Sequence, residues 1–263
     1  MSNAPTPEPS RAFRAAVERA AQRFRPAGHT PYHFARGKLG GDPIFAGVLR
    51  QGLIAPAARI VDIGCGQGVL AALLAEVEVS SDWPTDWAPP PRGWTLAGFD
   101  LRRDAVAAGQ RALSDLSARV QLTVGDARAM TLPPSDVAVI FDVLHYIDFA
   151  AQEAVLARVA DSVVDGGRLL LRVGDAEAGW RFRVTLLGDW LITLVRGTPW
   201  PRFWTRPLTQ WIALLERLGF DVDAQPMSEG TPFANVLLVA TRRRAAASRA
   251  IQSRSQSRSQ SRG

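Results

Sequence analysis

The segment DIGCGQG, residues 62–68, has residue types and spacing that suit the binding of a small polar ligand. Glycines let a ligand approach the backbone, and a helix that begins behind them presents free N–H groups. A glycine-rich turn also serves dinucleotide sites and plain tight turns, but this spacing is Gly-x-Gly-x-Gly rather than Gly-x-Gly-x-x-Gly. The carboxylate of Asp62 would repel a pyrophosphate and attract a positively charged amino group. The pattern therefore favours a ligand with a cationic amino group.

Two short clusters combine histidine with tyrosine and could move a proton. Tyr32 and His33 form the first cluster, and His145 and Tyr146 form the second. An imidazole titrates near neutral pH, so it can accept a proton from a phenol or another weak acid. Either histidine could instead hydrogen-bond a backbone carbonyl or only shape a pocket, so both interpretations stay open.

Short apolar strands alternate with helices from residue 59 onward, and these elements must position the candidate residues. Such alternation predicts an α/β fold with a doubly wound, mostly parallel, seven-stranded sheet and helices on both faces. The apolar runs RLLLRV and VAVIF suit strands that are buried on both sides. We expect strands over residues 59–63, 95–100, 120–124, 137–141, 168–173, 220–222 and 235–241, and helices over residues 69–76, 104–116, 151–161 and 208–218.

Composition divides the chain into three parts. Residues 1–41 are expected to form a helix over 11–24 and then a lid segment. Residues 42–241 form the main domain, whose first helix should start at Asp42 and Pro43. Two inserts interrupt it, a Trp/Pro segment at 78–94 that reads as a surface insertion and a Trp/Arg segment at 175–207. Residues 242–263 read as a disordered basic tail that the fold does not need.

The overall charge of +6 comes from the tail and not from the main domain. The tail holds seven of the 31 basic side chains, which leaves 24 basic against 25 acidic residues elsewhere. A strong domain-wide preference for phosphate is therefore not expected. The single thiol, Cys65, cannot form an internal disulfide, and the N-terminus lacks an apolar signal segment, so we expect a cytoplasmic protein. No ligand set for a metal is predicted.

These motifs resemble the class I S-adenosylmethionine-dependent methyltransferases, particularly bacterial enzymes of secondary metabolism, over roughly residues 45–175. Besides the glycine loop, the likeness rests on the segments GFDL at 98–101, GDAR at 125–128, FDVLHY at 141–146 and DGGR at 165–168. The resemblance implies a Rossmann-like domain that binds S-adenosyl-L-methionine. One departure is the 32 residues from Gly68 to Asp100, where nucleotide-binding units have about 20.

The resemblance also implies which residues contact the cofactor. The loop would cradle its amino-acid half, and Asp100 would bind both ribose hydroxyls, since a carboxylate has two acceptor oxygens. The segment at 125–128 would contact adenine, and Asp142 would lie where the active-site lip begins. The expected cofactor-binding residues are Asp62, Gly64, Cys65, Gly66, Gly68, Asp100, Leu101, Asp126, Ala127 and Asp142.

On the acceptor side, His145 is the first candidate for a catalytic base, with His33 and Tyr32 as alternatives in the lid segment. Lys38 or Arg36 could meet a carboxylate on the cofactor or substrate, although solvated charges on an amphipathic lid would look the same. The aromatic insert at 175–207 favours a small apolar or aromatic acceptor that is methylated on oxygen or carbon.

Other functions are kept open. Amino-methyltransferases that act on nucleic acids carry (Asn/Asp)-Pro-Pro-(Tyr/Phe) where this chain has Asp142-Val143-Leu144-His145, so no specific nucleic-acid substrate is expected. Residues 180–204 could contact a membrane surface. A monomer or homodimer is expected. The alternatives to a methyltransferase are a non-catalytic cofactor-binding partner protein and a nicotinamide-dependent Rossmann oxidoreductase.

Overall fold

A computed structural model describes residues 10–174, 203–227 and 235–244. Within these ranges one seven-stranded sheet has the order β3-β2-β1-β4-β5-β7-β6. Its strands are β1 (Arg59–Ile63), β2 (Thr95–Asp100), β3 (Val120–Val124), β4 (Ser135–Phe141), β5 (Val163–Gly174), β6 (Phe220–Pro226) and β7 (Asn235–Arg242).

Strands β1 to β5 pair in parallel, and β7 pairs antiparallel with both β5 and β6. The expected doubly wound, mostly parallel α/β sheet is therefore confirmed. The chain order reverses between β1 and β4, which lie side by side at the centre. In open α/β sheets, ligands bind outside the carboxyl ends of the strands at such a reversal. This crevice is therefore the expected position of a ligand site.

Helices cover both faces of the sheet. Ile60 of β1 belongs to one apolar core with Leu73, whereas Ile63 belongs to a second core with Leu156. Full burial of side chains of this size stabilises a fold by about 1.5–3 kcal/mol each. The α-helices of the described residues are α1 (Arg11–Gln22), α2 (His29–Gly41), α3 (Pro43–Arg50), α4 (Val69–Glu78), α5 (Arg103–Ala112), α6 (Phe149–Ser162) and α7 (Leu208–Arg217).

Helix α3 begins as its sequence predicts, whereas the sequence did not predict a separate helix at the position of α2 in the expected lid segment. The Asp42 side chain accepts a hydrogen bond from the Ile44 N–H (3.1 Å), and Pro43 occupies the first turn. Helix α2 ends in Gly40 and Gly41 and has little apolar periodicity, so its sequence carries a weak helical signal. None of the helices in the described part of the chain has the length and apolar character needed to cross a bilayer.

The Trp/Pro segment at 78–94 is attached to the core by its tryptophans, while most of its other residues are partly or fully exposed. The Trp87 ring lies 5.6 Å from the ring of Phe13 in α1, and Trp83 packs edge-on against Trp87. Trp94 is fully buried, with the guanidinium of Arg119 4.3 Å from its ring centroid. Large aromatic side chains dominate core energetics when they are buried. Most of the second insert, residues 175–202, lies outside the described residues.

The fold extends three residues into the predicted tail. Arg242 belongs to β7, lies over the Phe220 ring at 5.4 Å and donates to the Leu218 carbonyl. Arg243 donates to the Asp221 carboxylate (2.8 Å) and to the Phe220 carbonyl (2.8 Å). The rest of the tail, residues 245–263, lies outside the described residues.

Two truncations should separate the folded end of the chain from its tail. Removing residues 245–263 should leave the thermal midpoint Tm unchanged, because that stretch has no apolar periodicity. Removing residues 242–263 also deletes the contacts of Arg242 and Arg243. The loss of two or more such hydrogen bonds should lower the Tm by roughly 4–8 °C. Differential scanning calorimetry measures both, and an equal Tm for the two truncations would contradict the assigned boundary.

Candidate active site

The loop after β1 has a backbone that only glycine adopts readily. Gly64, Gly66 and Gly68 have φ values of 78°, 57° and 76°, in the left-handed region. A Cβ at Gly64 would lie only 2.1 Å from Cγ2 of Val143, so this glycine also permits close contact with the segment after β4. Gly68 immediately precedes α4, whose N-terminus therefore opens behind the loop. The loops that follow the two central strands thus meet at the crevice.

Asp100, at the end of β2, is tied to the glycine loop. One carboxylate oxygen accepts from the Gly66 N–H (2.8 Å), and the other accepts from the Arg102 N–H (2.8 Å). The Arg102 guanidinium is 3.6 Å from the same carboxylate. The two hydrogen bonds orient an acceptor group at the rim of the loop. This position suits the expected recognition of a vicinal diol.

Asp62 is a buried carboxyl group beneath the loop. It is 6% exposed, and it makes no hydrogen bond within the part of the chain that the structure describes. Burial, with a smaller contribution from the charge of Asp100, raises the pKa of Asp62 to about 7. A buried carboxylate needs a charged or hydrogen-bonding partner. A cationic amino group in the loop would supply that partner, so Asp62 fits the amino-acid end of S-adenosylmethionine.

Other predicted cofactor residues surround the same edge of the sheet. Leu101 is 63% exposed directly after Asp100, where its apolar surface is open to a planar group. Asp126 accepts from the backbone N–H of Arg128 (2.9 Å), and hydrogen bonding by Arg128 lowers the pKa of Asp126. Ala127 is partly buried and packs against the second core.

Cys65 contributes packing. Its Sγ lies 2.9 Å from where a Cβ on Gly98 would be, so the thiol fills the space left by that glycine. Burial, followed by the charges of Asp62 and Asp100, raises the pKa of the thiol far above its usual range. The side chain is therefore a neutral thiol, and Cys65 contributes to the surface of the glycine loop through its backbone.

Asp142, after β4, belongs to a network of four charged side chains. Its backbone φ is 59°, unusual for a residue other than glycine. Its carboxylate accepts from Nε of Arg172 (2.7 Å), from a second nitrogen of the same guanidinium and from Nζ of Lys38 (3.1 Å). Asp42 accepts from Arg172 as well and pairs with Lys38 at 2.8 Å. The network joins α2, α3, β4 and β5 at the crevice.

The four charges of this network balance. Although burial opposes ionisation, Arg172 and Lys38 hold the pKa of Asp142 well below its usual range. The guanidinium of Arg172 is 2% exposed, whereas the Lys38 and Asp142 side chains are each about a third exposed at 31% and 34%. Arg172 is therefore the buried member, and Lys38 and Asp142 form the face that a ligand can reach.

Sequence reasoning missed Arg172 and treated Asp42 only as a helix cap. The signal for Arg172 was available, because an arginine in the middle of the apolar run LLLRV must find a partner when the strand is buried. Its partners could not be named, since they lie 30 and 130 residues away along the chain.

His145 lies in a short 3₁₀ turn, Leu144–Tyr146, just beyond Asp142. Burial lowers the pKa of His145 to about 4, while Asp142 acts in the opposite direction and Arg172 adds to the lowering. The ring of His145 contacts Tyr146 (centroids 4.0 Å apart) and Phe203 (5.7 Å). A neutral imidazole in an aromatic cluster therefore borders the crevice.

Tyr32 and His33 lie on α2, whose two ends relate differently to the site. The Tyr32 hydroxyl donates to Glu18 of α1 (3.1 Å), and His33 is exposed. The Pro31 carbonyl accepts from the side chain of Gln67 in the glycine loop (2.8 Å). Helix α2 therefore contacts the loop near its start and reaches Asp142 through Lys38 near its end.

Comparison with known proteins identifies the family. None of the curated proteins compared with this chain matches it. The family described as "Methyltransferase domain" matches residues 10–225, which include the glycine loop and the segment after β4. The chain belongs to this methyltransferase domain family, and the resemblance to class I S-adenosylmethionine-dependent methyltransferases is confirmed.

Solved structures share the fold at low sequence identity. An O-methyltransferase family protein from Burkholderia thailandensis has a TM-score of 0.59 and 21% identity over 87% of this chain and 64% of its own. Magnesium protoporphyrin IX methyltransferase from Synechocystis PCC 6803, with bound SAH, has a TM-score of 0.55 and 18% identity over 87% and 97%. Human N-acetylserotonin methyltransferase in complex with SAM has a TM-score of 0.53 and 17% identity over 91% and 61%. The chain thus spans less than two thirds of the first and third of these proteins.

Replacing Arg172 with methionine tests the charge network. The change leaves Asp42 and Asp142 close together with only Lys38 to neutralise them, and breaking a buried pair costs about 3–5 kcal/mol. Urea unfolding should show a loss of that size. The matched control is Arg168→Met on the same strand, because among the described residues Arg168 makes only long hydrogen bonds (3.3 and 3.4 Å) to backbone carbonyls. A loss of about 1 kcal/mol or less is expected for the control. Equal losses of unfolding free energy in the two variants would show that the charge network does not stabilise the fold.

Proposed function

We propose that the chain transfers a methyl group from S-adenosylmethionine to a small acceptor. The observation that carries the proposal is the buried carboxyl of Asp62 beneath a loop of left-handed glycines, with Asp100 hydrogen-bonded at its rim. A pyrophosphate would meet two acidic groups here, whereas a ligand with an amino group and a diol would meet a partner for each. Membership of the methyltransferase domain family supports the same ligand.

The proposed roles on the cofactor side follow from these positions. Asp62 binds the amino group, and Asp100 accepts from the ribose hydroxyls. Leu101 and Ala127 offer apolar surface to adenine, beside Asp126. The backbone at Gly64, Cys65, Gly66 and Gly68 bounds the amino-acid half, and Asp142 marks the border with the acceptor. The bound cofactor supplies an electrophilic methyl group on its sulfonium, so the protein's task is to position and desolvate the acceptor.

The proposed acceptor is a small apolar or aromatic molecule that is methylated on oxygen or carbon. Its support is the cluster of His145, Tyr146 and Phe203 beside the charge network, since aromatic rings around a crevice suit such a ligand. His145 is the proposed base, and its neutral imidazole can accept a proton. His33 and Tyr32 remain alternatives on α2. Lys38, the only lysine of the chain, offers a positive charge to an oxyanion in the crevice.

The other expectations from sequence remain proposals. Family membership favours a methyltransferase over a nicotinamide-dependent oxidoreductase. A non-catalytic cofactor-binding protein is separated from an enzyme by transfer of labelled methyl groups to acceptors in a metabolite extract. Cytoplasmic location, a monomer or homodimer and membrane contact through 180–204 are further proposals, and most of that segment lies outside the described residues.

Asp62→Asn should remove the pH dependence of S-adenosylhomocysteine binding that the titration of this carboxyl causes. The amino group of S-adenosylhomocysteine prefers the ionised carboxylate, and the pKa of Asp62 is about 7. For the wild type, affinity should therefore rise about tenfold per pH unit below pH 7 and level off above it. The variant should bind more weakly at pH 7.5, by about 1.5–3 kcal/mol, with no slope of this kind. Isothermal titration calorimetry from pH 5.5 to 8 measures both.

A control and a stability measurement complete this test. Asp136→Asn alters a carboxylate that pairs with Arg59 (2.9 Å) away from the loop, so its titration should keep the wild-type slope. Because burial raises the pKa of Asp62, the stability that the ligand-free protein has at low pH falls as pH rises through 7. Asp62→Asn should therefore raise the Tm at pH 8. Wild-type slopes in the Asp62 variant would contradict its assigned role.

His145→Ala should lower turnover without changing cofactor affinity. If His145 is a general base, its removal should cost about 10²–10⁴-fold in turnover, and the loss should shrink at high pH, where a phenolic acceptor ionises unaided. Because burial lowers the pKa of His145 to about 4, the wild-type rate should show no titration near pH 6.5. Turnover close to wild type from pH 6 to 9 would reject the base assignment and favour His33.

A further inference from the structure

A fully buried glutamine joins the two segments that border the acceptor side. Gln152 of α6 donates from Nε2 to the carbonyls of Leu144 (3.0 Å) and Ile147 (3.1 Å), at the two ends of the turn that holds His145. The Trp204 carbonyl also lies within hydrogen-bond distance of this nitrogen (2.8 Å), so three carbonyls share its two N–H groups. One amide therefore links the turn after β4, residues 144–147, to residues 203–206.

Arg206 determines which way this amide points. Its Nε donates to Oε1 of Gln152 (2.9 Å), so the amide oxygen faces a donor and the amide nitrogen faces the carbonyls. Its other end donates to the Phe149 carbonyl (3.0 Å) and to Glu153 (2.8 Å). The guanidinium also lies over the Phe149 ring, 4.6 Å from its centroid. Arg206 is 8% exposed and therefore held firmly at this junction.

The linkage places aromatic rings at the crevice rather than in the core. The backbone N–H of Trp204 donates to the His145 carbonyl (2.9 Å), which extends the contact between the two segments. Phe203 then lies 5.7 Å from the ring of His145 and 5.9 Å from that of Tyr146. Tyr146 is 41% exposed, so part of its ring surface faces outward.

Packing of the core does not require an amide at Gln152. A leucine or methionine would fill a similar volume without the cost of burying a polar group. The amide is stabilising only because its donor and acceptor atoms both have partners, and those partners belong to the two segments beside the crevice. The amide therefore serves to link these two segments, which an apolar side chain of the same size could not do.

We propose that Gln152 and Arg206 are positioning residues that hold Tyr146 and Phe203 as the wall against which an aromatic acceptor binds. The inference rests on the proposed function and deepens it, because it assigns acceptor recognition to a pair of residues that do not touch the acceptor. Specificity for the acceptor should therefore depend on this pair, whereas cofactor affinity should not.

The test compares Gln152→Met with the wild type in three measurements. Hydrogen exchange read by mass spectrometry should speed up about tenfold or more in residues 143–148 and 203–207, where the hydrogen-bonded link is lost. Affinity for 2-naphthol, a planar aromatic probe, should fall about tenfold, with and without S-adenosylhomocysteine present. Affinity for S-adenosylhomocysteine should stay within a factor of about two, because the hydrogen bonds that Gln152 donates among the described residues go to Leu144, Ile147 and Trp204 and not to the glycine loop.

Two further variants keep the test decisive. Ser162→Ala, at the other end of α6, removes the buried hydroxyl that donates to the Val159 carbonyl (2.9 Å), and it should leave naphthol affinity unchanged. Arg206→Met removes the group that orients the amide, so it should reproduce the naphthol defect even if Gln152→Met does not fold. A purely structural role would make naphthol affinity follow Tm across all three variants.

The possible outcomes separate this inference from the proposed function. Unchanged naphthol affinity in both Gln152→Met and Arg206→Met would overturn the inference, as would a wild type that does not bind naphthol. Unchanged exchange at residues 143–148 and 203–207 would also overturn it. Failure of the wild type to bind S-adenosylhomocysteine would instead contradict the proposed function, and the exchange and naphthol measurements on the ligand-free protein would still decide the inference.

Discussion

The guanidinium of Arg172 is buried near the carboxyl end of β5, and a buried charge must be neutralised by groups that the fold brings to it. The two carboxylates that do so come from the end of β4 and from the start of α3. Lys38 then attaches α2 to the same carboxylates. One strand residue thereby fixes how the N-terminal helices cover the carboxyl ends of the central strands.

This constraint organises the crevice into two chemically different sides. Asp62 and Asp100 make the side toward β1 and β2 acidic, which suits an amino group and a diol. The other side lies beyond the contact between Gly64 and Val143. There the charges of the Arg172 network cancel, and the aromatic rings of Tyr146 and Phe203 lie next to it. A polar cofactor and a less polar acceptor would each meet matching surface. The left-handed backbone of Asp142 lies at the border and is held by its two cationic partners.

Features that depend on a few neighbouring residues, such as strand limits and helix caps, were predicted from the sequence. Strands β1, β2 and β3 begin and end where their apolar runs and flanking glycines predict, and Asp42 caps α3 as expected. Orientation and distant pairing were out of reach, because nothing in an apolar run states that β7 is antiparallel or that Arg172 meets Asp42. The burial of Trp94 in the Trp/Pro segment could not be predicted for a related reason, since it depends on neighbours far along the chain.

The central claim is that the edge of β1 and β2 binds an adenosyl amino acid rather than a dinucleotide. Calorimetric titration of the full chain with S-adenosylhomocysteine and, separately, with NAD tests it most directly, with Asp100→Ala titrated in parallel. The account predicts one saturable site for S-adenosylhomocysteine, no binding of NAD, and an affinity lower by about 1.5–3 kcal/mol in the variant. Binding of NAD, or equal affinity of both proteins for S-adenosylhomocysteine, would contradict it.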